Sequence, residues 1–319
     1  MFFDIIILLI GFVVIIKASD VLVDAASSLA LKLNISKIFI ALTIMAFGTC
    51  APEVAISFRS VGSNDATMAF ANVIGSCIVN ILLIIGLASF IHPIKIKHAT
   101  VKRELPLLFI ITSIFVVLML DSLFNPLTKN TFSRADAIIL ILLFSLFVVY
   151  LIQMLFKRNK NVTADDIEIK YSPLVAFALL IVSIIFIIYS SDLIIDSAKN
   201  IAASLNIAEK IITMFVIVVG TSLPEMIMTV TSAKKGEFDM AIGNIIGTNI
   251  FNICIVLGLP IVIYGDILLT GFGFVDILMV FMSSLLLFIF ARSERTINKR
   301  EGVIMIMFFV LYYGYLLWR

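Results

Sequence analysis

Ten apolar stretches, each long enough to form a helix that crosses a lipid bilayer, occupy most of the chain. A hydrocarbon core of ~30 Å takes about 20 helical residues. Hydrophobic residues make up 62% of the 319-residue sequence and charged residues only 14%. The apolar stretches are long and continuous, whereas the strands of a membrane β-barrel would show shorter segments of alternating polarity. The sequence therefore predicts an all-α integral membrane protein with ten transmembrane helices. The predicted spans are 4–27, 35–58, 67–91, 105–120, 134–156, 173–198, 208–231, 238–264, 272–291 and 301–318.

Basic residues are distributed unevenly between the connections. If alternate connections lie on opposite faces, sixteen lysines and arginines fall on one face and six on the other. Because cytoplasmic loops carry the excess of basic residues, the sequence predicts a multi-pass cell-membrane protein with both termini extracellular. The first stretch lacks a small-residue cleavage site and is predicted to remain as a span. The bilayer is the predicted partner, and no feature points to nucleic acid.

An internal repeat divides the chain into two halves. At an offset of 172 residues, 25 of the 72 positions in 16–87 are identical to those in 188–259, including glycines, asparagines, prolines and glutamates. Each half holds five predicted spans, an odd number, so the second half enters the membrane with the opposite orientation. Inverted repeats of this kind are a recurrent plan of secondary transporters, with the substrate held near the midplane. The predicted organisation is a first repeat at 1–156, a cytoplasmic linker at 157–172 and a second, inverted repeat at 173–319.

Predicted spans two and seven each contain a short polar motif. Residues 48–53 read GTCAPE and residues 220–225 read GTSLPE. Glycine weakens a helix and proline removes a backbone donor, so helices 2 and 7 are predicted to be discontinuous, unwinding locally around 48–52 and 220–224. Carbonyls freed inside a membrane need protein, water or an ion as partner. A bound cation is therefore the favoured interpretation of both breaks.

Glu53 and Glu225 occupy equivalent positions in these motifs. An ionised carboxylate near the bilayer centre costs ~2.5 to 3.5 kcal/mol even on the lenient insertion scale. Two such groups converging from inverted halves would repel, so either one holds a proton or a cation lies between them. The bland alternative, a protonated glutamate hydrogen-bonded to a neighbouring helix, explains one such residue more readily than a symmetric pair within helix breaks.

Predicted spans three and eight carry polar residues at helical spacing. Asn72, Ser76 and Asn80 lie four residues apart, and Asn244, Thr248 and Asn252 repeat the pattern, so each set falls on nearly one helix face. Hydrogen bonding between helices is an alternative role for such residues. With the glutamates, they give a ligand set made only of oxygens, which suits Ca²⁺. Two negative charges balance one divalent ion or two monovalent ions, as antiport requires.

These duplicated motifs resemble those of the sodium/calcium exchanger family, within the cation/calcium exchanger superfamily and of prokaryotic type. The resemblance rests on the GTSLPE-like motifs and on the elements 71–80 and 243–252, and with the ten-span layout it covers nearly the whole chain. It implies a Ca²⁺ site formed by Glu53, Glu225, Thr49 and Thr221. It also implies flanking Na⁺ sites or polar lining at Ala46, Cys50, Ser76, Asn80, Val218, Ser222, Thr248 and Asn252.

The chain departs from the family pattern at Cys50, where serine is usual. A thiol is a poor ligand for hard Na⁺, which puts one of the implied sodium sites in doubt. Thr248 keeps a hydroxyl where serine is usual. Asn252 stands where potassium-dependent exchangers carry aspartate, so potassium coupling is not favoured.

The sequence thus predicts a secondary antiporter that exchanges Ca²⁺ for Na⁺, acting as a monomer, without an enzymatic reaction and without a cofactor. A proton-coupled Ca²⁺ antiporter of the same fold is the nearest alternative, because a carboxylate pair can hold protons and Cys50 weakens a sodium site. An intramembrane hydrolase with two carboxylic acids and a passive cation channel are the alternatives from other classes.

Overall fold

The computed structural model describes residues 2–62, 66–120, 130–156, 170–205, 218–269 and 273–318. Within these ranges the chain is mostly helical, and its strands are two-residue pieces in the connections. The helices are α1 Phe2–Leu33, α2 Lys37–Thr49, α3 Ala51–Gly62, α4 66–91, α5 His98–Lys102, α6 Glu104–Leu118, α7 Arg134–Phe156, α8 Pro173–Ser204, α9 Val218–Thr221, α10 Leu223–Lys234, α11 Phe238–Tyr264, α12 Phe274–Ser293 and α13 Lys299–Trp318.

Seven of the described helices are long and apolar enough to cross a membrane, and α2 with α3 forms an eighth candidate as a pair bent by 48°. Large apolar side chains on their outer faces are exposed, among them Leu142 on α7 and Leu174 on α8, as expected for surfaces that meet lipid. The prediction of a helical membrane protein with several spans is therefore confirmed. Predicted span 105–120 corresponds to the 15-residue helix α6, and predicted span 208–231 falls partly on 206–217, outside the described residues.

The two longest helices, α1 and α8, pack against each other. Each has 32 residues, about 48 Å of helix at 1.5 Å per residue. Both therefore extend beyond a hydrocarbon core of ~30 Å or cross it at a tilt. Gly11 permits close packing between them, because a Cβ at this position would lie 2.7 Å from Cγ1 of Ile194.

The most deeply buried helices are the central parts of α4 and α11. Two glycines bring α11 against α2: a Cβ on Gly243 would lie 2.9 Å from Cβ of Ala41, and one on Gly247 would lie 2.8 Å from the Leu42 carbonyl oxygen. Small residues allow helix backbones to approach closely in membranes, where packing rather than the hydrophobic effect drives helix association. This contact fixes the position of the α2 segment that leads into the GTCAPE motif.

Two antiparallel pairings join connections that are far apart in sequence. Strand β1 Ile94–Lys95 pairs with β4 Thr296–Ile297, and β2 Thr131–Phe132 pairs with β3 Ile267–Leu268. Each pairing takes one strand from each predicted repeat. Lys97, two residues after β1, forms an ion pair of 2.6 Å with Asp239 in the first turn of α11, whereas β3 follows the end of that helix. The two pairings therefore lie at opposite ends of α11.

Ion pairs gather around the connection between α10 and α11. They hold α1, α2 and the residue Lys170 to this connection, on the face that carries the predicted excess of basic residues. Such pairs contribute little individually when exposed, so their main effect is to fix where the helix ends lie. The pairs are Lys37–Glu237 at 2.5 Å, Lys170–Asp24 at 2.9 Å and Lys235–Asp24 at 2.8 Å, with Lys235–Asp20 at 3.6 Å.

The predicted linker 157–172 lies outside the described residues up to residue 169. Its last three residues lead directly into α8, which begins at Pro173. The division of the chain at this point stays a prediction.

Candidate cation-binding site

The first helix break lies at a single residue, Cys50. Helix α2 ends at Thr49 and α3 begins at Ala51, and Cys50 between them has φ −76° and ψ 4°. Pro52 has no N–H to donate to the carbonyl of Gly48, four residues earlier, so the hydrogen-bond ladder is interrupted at this point. The break is thus narrower than the predicted unwinding of 48–52, because a proline is tolerated in the first turn of a helix.

The second break has the same form. Helix α9 ends at Thr221, α10 begins at Leu223, and Ser222 between them has φ −88° and ψ 10°. Pro224 stands in the first turn of α10, as Pro52 does in α3. The two motifs therefore produce the same local structure, at positions 172 residues apart.

Each glutamate lies in the first turn of the helix that follows its break. Glu53 is 1% exposed and Glu225 is 0% exposed, and their carboxylates are close enough to interact electrostatically. A helix N-terminus carries a partial positive charge that stabilises a nearby anion. Among the described residues, however, Oε2 of Glu53 and both carboxylate oxygens of Glu225 have no hydrogen-bond partner. Buried carboxylates in this state require a cation or a proton.

The two predicted threonine ligands end the helices before the breaks. The Thr49 hydroxyl lies beside the Glu225 carboxylate and donates to the carbonyls of Met45 and Ala46, both at 3.2 Å. Thr221 is 6% exposed, at the corresponding end of α9. Both threonines are therefore positioned next to the break that precedes a glutamate.

The predicted backbone ligand Ala46 already accepts hydrogen bonds. Its carbonyl receives the Thr49 hydroxyl and the Cys50 N–H, the latter at 3.3 Å. A cation bound at this carbonyl oxygen would therefore share it with two hydrogen bonds. Val218, the equivalent position, is the first described residue of α9, and only its backbone is described.

The polar stripes of α4 and α11 bring further donors and acceptors into the core. Ser76, Asn80, Thr248 and Asn252 are fully buried, as is Ser222. Within the described part of the chain, each has at least one side-chain atom without a hydrogen-bond partner. These atoms are Oγ of Ser76 and Ser222, Oγ1 of Thr248, Oδ1 of Asn80, and Oδ1 and Nδ2 of Asn252. Such a cluster of orphaned polar atoms is rare in a protein core and fits a site that exchanges ligands.

Two of the four asparagines singled out in predicted spans three and eight lie in π-helical turns. Asn80 belongs to Val79–Ile85 in α4, and Asn252 begins Asn252–Leu257 in α11. A π-turn inserts one extra residue per turn, turns the following residues relative to the preceding ones, and often occurs at functional sites. The four-residue spacing of the polar residues in the sequence does not predict a π-turn. A third π-turn, Ala41–Met45, precedes Thr49 in α2.

One buried polar residue of the site was not singled out from the sequence. Asn249 accepts a hydrogen bond from Nδ2 of Asn80 at 2.9 Å and donates to the carbonyl of Cys77 at 3.5 Å. It thereby joins α11 to α4 at the level of the polar stripes. Comparison of the two repeats does not reveal Asn249, because the equivalent position in the first half is occupied by Cys77.

Replacing Asn249 by alanine is expected to weaken this junction. The Asn80 amide would lose its acceptor in a buried position, which costs about 1–3 kcal/mol. We expect a lower thermal unfolding temperature of the purified protein in detergent. The matched control is Asn200→Ala, which removes an exposed hydrogen bond of 3.0 Å to Asp4 and should change stability little. Equal unfolding temperatures for the two variants would show that the hydrogen bonds of Asn249 do not stabilise the protein.

Cys50, the residue at the first break, is buried together with the site residues. Its thiol is fully buried and lies near the Thr248 hydroxyl and both glutamate carboxylates. Within the described residues no three histidine, cysteine, aspartate or glutamate side chains form a metal-binding group. A cation held by the two carboxylates would therefore need hydroxyl, amide and carbonyl oxygens as its further ligands, which Ca²⁺ accepts readily.

A family model described as "Sodium/calcium exchanger protein" matches residues 3–153 and 175–318. The chain is 30% identical to the inner membrane protein YrbG of Escherichia coli (strain K12), over 98% of this chain and 96% of that protein. It is 29% identical to the sodium/calcium exchanger MaX1 of Methanosarcina acetivorans, over 96% of each. These matches extend over both predicted halves.

A solved structure of the sodium-calcium exchanger NCX_Mj, soaked with Na⁺ and Sr²⁺, is similar to the whole chain. The TM-score is 0.84, the sequences are 27% identical, and the match covers 98% of each chain. The same exchanger soaked with Na⁺ and Ca²⁺ matches with a TM-score of 0.81. The overall architecture is therefore shared along the whole length.

Proposed function

The chain belongs to the sodium/calcium exchanger family, and on that basis we propose that it expels Ca²⁺ from the cell in exchange for Na⁺. The observation that carries the proposal is the pair of fully buried glutamates, Glu53 and Glu225, at the N-termini of two matching helix breaks. Their orphaned carboxylate oxygens and the orphaned hydroxyls around them suit cations that enter and leave dehydrated. The family is one of transporters, and no reaction chemistry or cofactor is invoked.

In this proposal Ca²⁺ binds between the carboxylates of Glu53 and Glu225, with the hydroxyls of Thr49 and Thr221 as further ligands. Two carboxylates balance the charge of one Ca²⁺ and also that of two Na⁺. Exchange follows if Ca²⁺ and Na⁺ occupy this region alternately. The sodium positions are proposed at the residues that flank the breaks and on the polar stripes, namely Ala46, Cys50, Ser76, Asn80, Val218, Ser222, Thr248 and Asn252.

The proposed frame is ten transmembrane helices in two inverted repeats, 1–156 and 173–319, joined by a cytoplasmic linker. The pairing of β1 with β4 and of β2 with β3 supports it, because each joins one half to the other at opposite ends of α11. Both termini then lie outside the cell, and one chain is the functional unit. Labelling of a cysteine added after Arg319 by a membrane-impermeant reagent in intact cells tests this sidedness.

The alternative is proton coupling in the same site. It is favoured by one observation, the thiol of Cys50 beside Thr248, where a sodium ion would otherwise find a hydroxyl. Protons could then take the place of sodium on the carboxylate pair.

Calcium-45 uptake into proteoliposomes separates the two couplings. Loaded with Na⁺ and diluted into sodium-free buffer, vesicles with the purified protein should accumulate Ca²⁺, because the outward sodium gradient drives the exchange. A pH gradient imposed without sodium should produce little uptake. Uptake driven by the pH gradient and unaffected by sodium would contradict sodium coupling. Uptake with no counter-ion inside the vesicles would instead indicate a channel.

A further inference from the structure

A row of buried polar side chains runs along α10 beyond its glutamate. Thr229 and Ser232 follow Glu225 four and seven residues later, and all three side chains are fully buried. Residues at this spacing lie on one helix face, and the row reaches ~10 Å beyond Glu225 at 1.5 Å per residue. Lys235, three residues after Ser232, forms an exposed ion pair with Asp24 at 2.8 Å. The row therefore leads from the glutamate towards the charged surface at the end of α10.

Asn244 of α11 adds a fourth polar side chain to this row. It is fully buried, and its Nδ2 donates to the Thr229 hydroxyl at 3.4 Å. Among the described residues, Oδ1 of Asn244 and Oγ of Ser232 have no hydrogen-bond partner. Buried polar atoms are nearly always paired with protein or water. An apolar helix interface gains nothing from such atoms, so the row is suited to a partner that comes and goes.

The first half contains the same row at the equivalent positions. Ser57 and Ser60 follow Glu53 in α3, which packs against α4, and Asn72 of α4 corresponds to Asn244. All three are buried, and within the described ranges Oγ of Ser57 and Nδ2 of Asn72 have no hydrogen-bond partner. Because the second repeat is predicted to be inverted, the two rows lead towards opposite faces of the membrane. These residues are separate from the proposed Ca²⁺ and Na⁺ ligands.

We infer that the two rows are transit sites, at which a cation that still carries water pauses between the glutamates and the solution on either side. A path must bind an ion strongly enough to admit it and weakly enough to release it. Neutral hydroxyl and amide groups meet this requirement, since they bind the water molecules of the cation without the pull of a further carboxylate. The inference rests on the function proposed above, because only a transported ion needs a path from each face.

Ser57→Ala and Ser232→Ala test the transit sites. Because neither hydroxyl has a partner in the described ranges, its loss should leave the thermal unfolding temperature unchanged or raise it. Calcium-45 exchange in proteoliposomes should nevertheless slow about tenfold, the effect of one hydrogen bond of about 1.4 kcal/mol. The matched control is Ser283→Ala, since Ser283 is also fully buried but its hydroxyl donates to the carbonyl of Val280 at 2.8 Å.

The control should exchange Ca²⁺ at the rate of the unmodified chain. Unchanged exchange in Ser57→Ala and Ser232→Ala overturns the transit sites. Slower exchange that is accompanied by a lower unfolding temperature, or that occurs equally in Ser283→Ala, also overturns them, because the hydroxyls would then serve packing rather than transport.

Labelling with a membrane-impermeant cationic thiol reagent provides a measurement that needs no transport. Ser57→Cys and Ser232→Cys should react from opposite faces, one in intact cells and the other in inside-out vesicles, above the background of the three buried native cysteines. Ser283→Cys should react from neither face. Reaction of the first two from the same face, or of neither, overturns the inference. If the unmodified chain does not exchange Ca²⁺ but both variants react as expected, the proposed function fails and the two hydrated rows stand.

Discussion

Calcium exchange should be lost when either glutamate of the two helix breaks is replaced by glutamine, in Glu53→Gln and in Glu225→Gln. The substitution keeps the shape of the side chain and removes one negative charge from a fully buried site. One pair of unit charges 4 Å apart is worth about 4 kcal/mol at an effective dielectric constant of 20. Because Ca²⁺ is divalent, we expect its affinity to fall by at least about a thousandfold. Calcium-45 uptake driven by a sodium gradient is the measurement.

The control for both variants is Glu294→Gln, which neutralises an exposed carboxylate at the end of α12 and should leave exchange unchanged. The opposite reading of the glutamates, in which each is a protonated acid that only holds helices together, makes a different prediction. Glutamine mimics a protonated carboxyl group, so exchange would survive in both variants. Retained uptake in Glu53→Gln would therefore refute a shared cation between the carboxylates.

The second large effect is expected at Gly247, where α11 crosses α2. A Cβ at this position would lie 2.8 Å from Cβ of Ala46, 2.8 Å from the carbonyl oxygen of Leu42 and 2.9 Å from its Cα. Two of these three atoms are backbone, so no side chain can turn away to make room. We expect Gly247→Ala to lower the free energy of unfolding by about 1–3 kcal/mol, the usual cost of overpacking. Thermal unfolding of the purified protein measures it.

Transport should suffer as well in Gly247→Ala, because the displaced segment of α2 carries Thr49 and leads directly to the break before Glu53. The control is Gly314→Ala in α13, where a Cβ would meet no atom within 4 Å. Alanine favours a helix by up to ~1 kcal/mol over glycine, so this variant should be as stable as the unmodified protein or slightly more stable. Equal unfolding temperatures for the two variants would contradict the close approach of α11 and α2.

The residues that could be found from the sequence are those that violate its apolar pattern. Glu53 and Glu225 stand out because a carboxylate within an apolar run is costly, and the neighbouring glycine and proline announce a break in the helix. The repeat then pairs the two motifs and suggests that they converge. The family is likewise legible from these motifs, and the family model confirms it.

Other parts of the site depend on three-dimensional contacts that leave no local pattern. The π-turn at Asn80 arises from backbone bonding within an ordinary apolar sequence, so the spacing of residues does not reveal it. The position equivalent to Asn249 in the first half is not an asparagine. Asn249 could therefore be recognised only through its contact with Asn80. The break at Cys50 is one residue wide because the preceding helix persists through Gly48, which propensity alone argues against.

The two-residue strand pairings make each half of the chain incomplete by itself. A fragment that ended before residue 157 would carry β1 and β2 with unpaired edges, and the missing partners, β4 and β3, belong to the other fragment. Joined in this way, the two predicted repeats supply each other with backbone hydrogen-bond partners at both ends of α11. Side chains of the two predicted repeats differ at equivalent positions, as Cys50 and Ser222 do, whereas the strand pairings require both repeats to be present in one molecule.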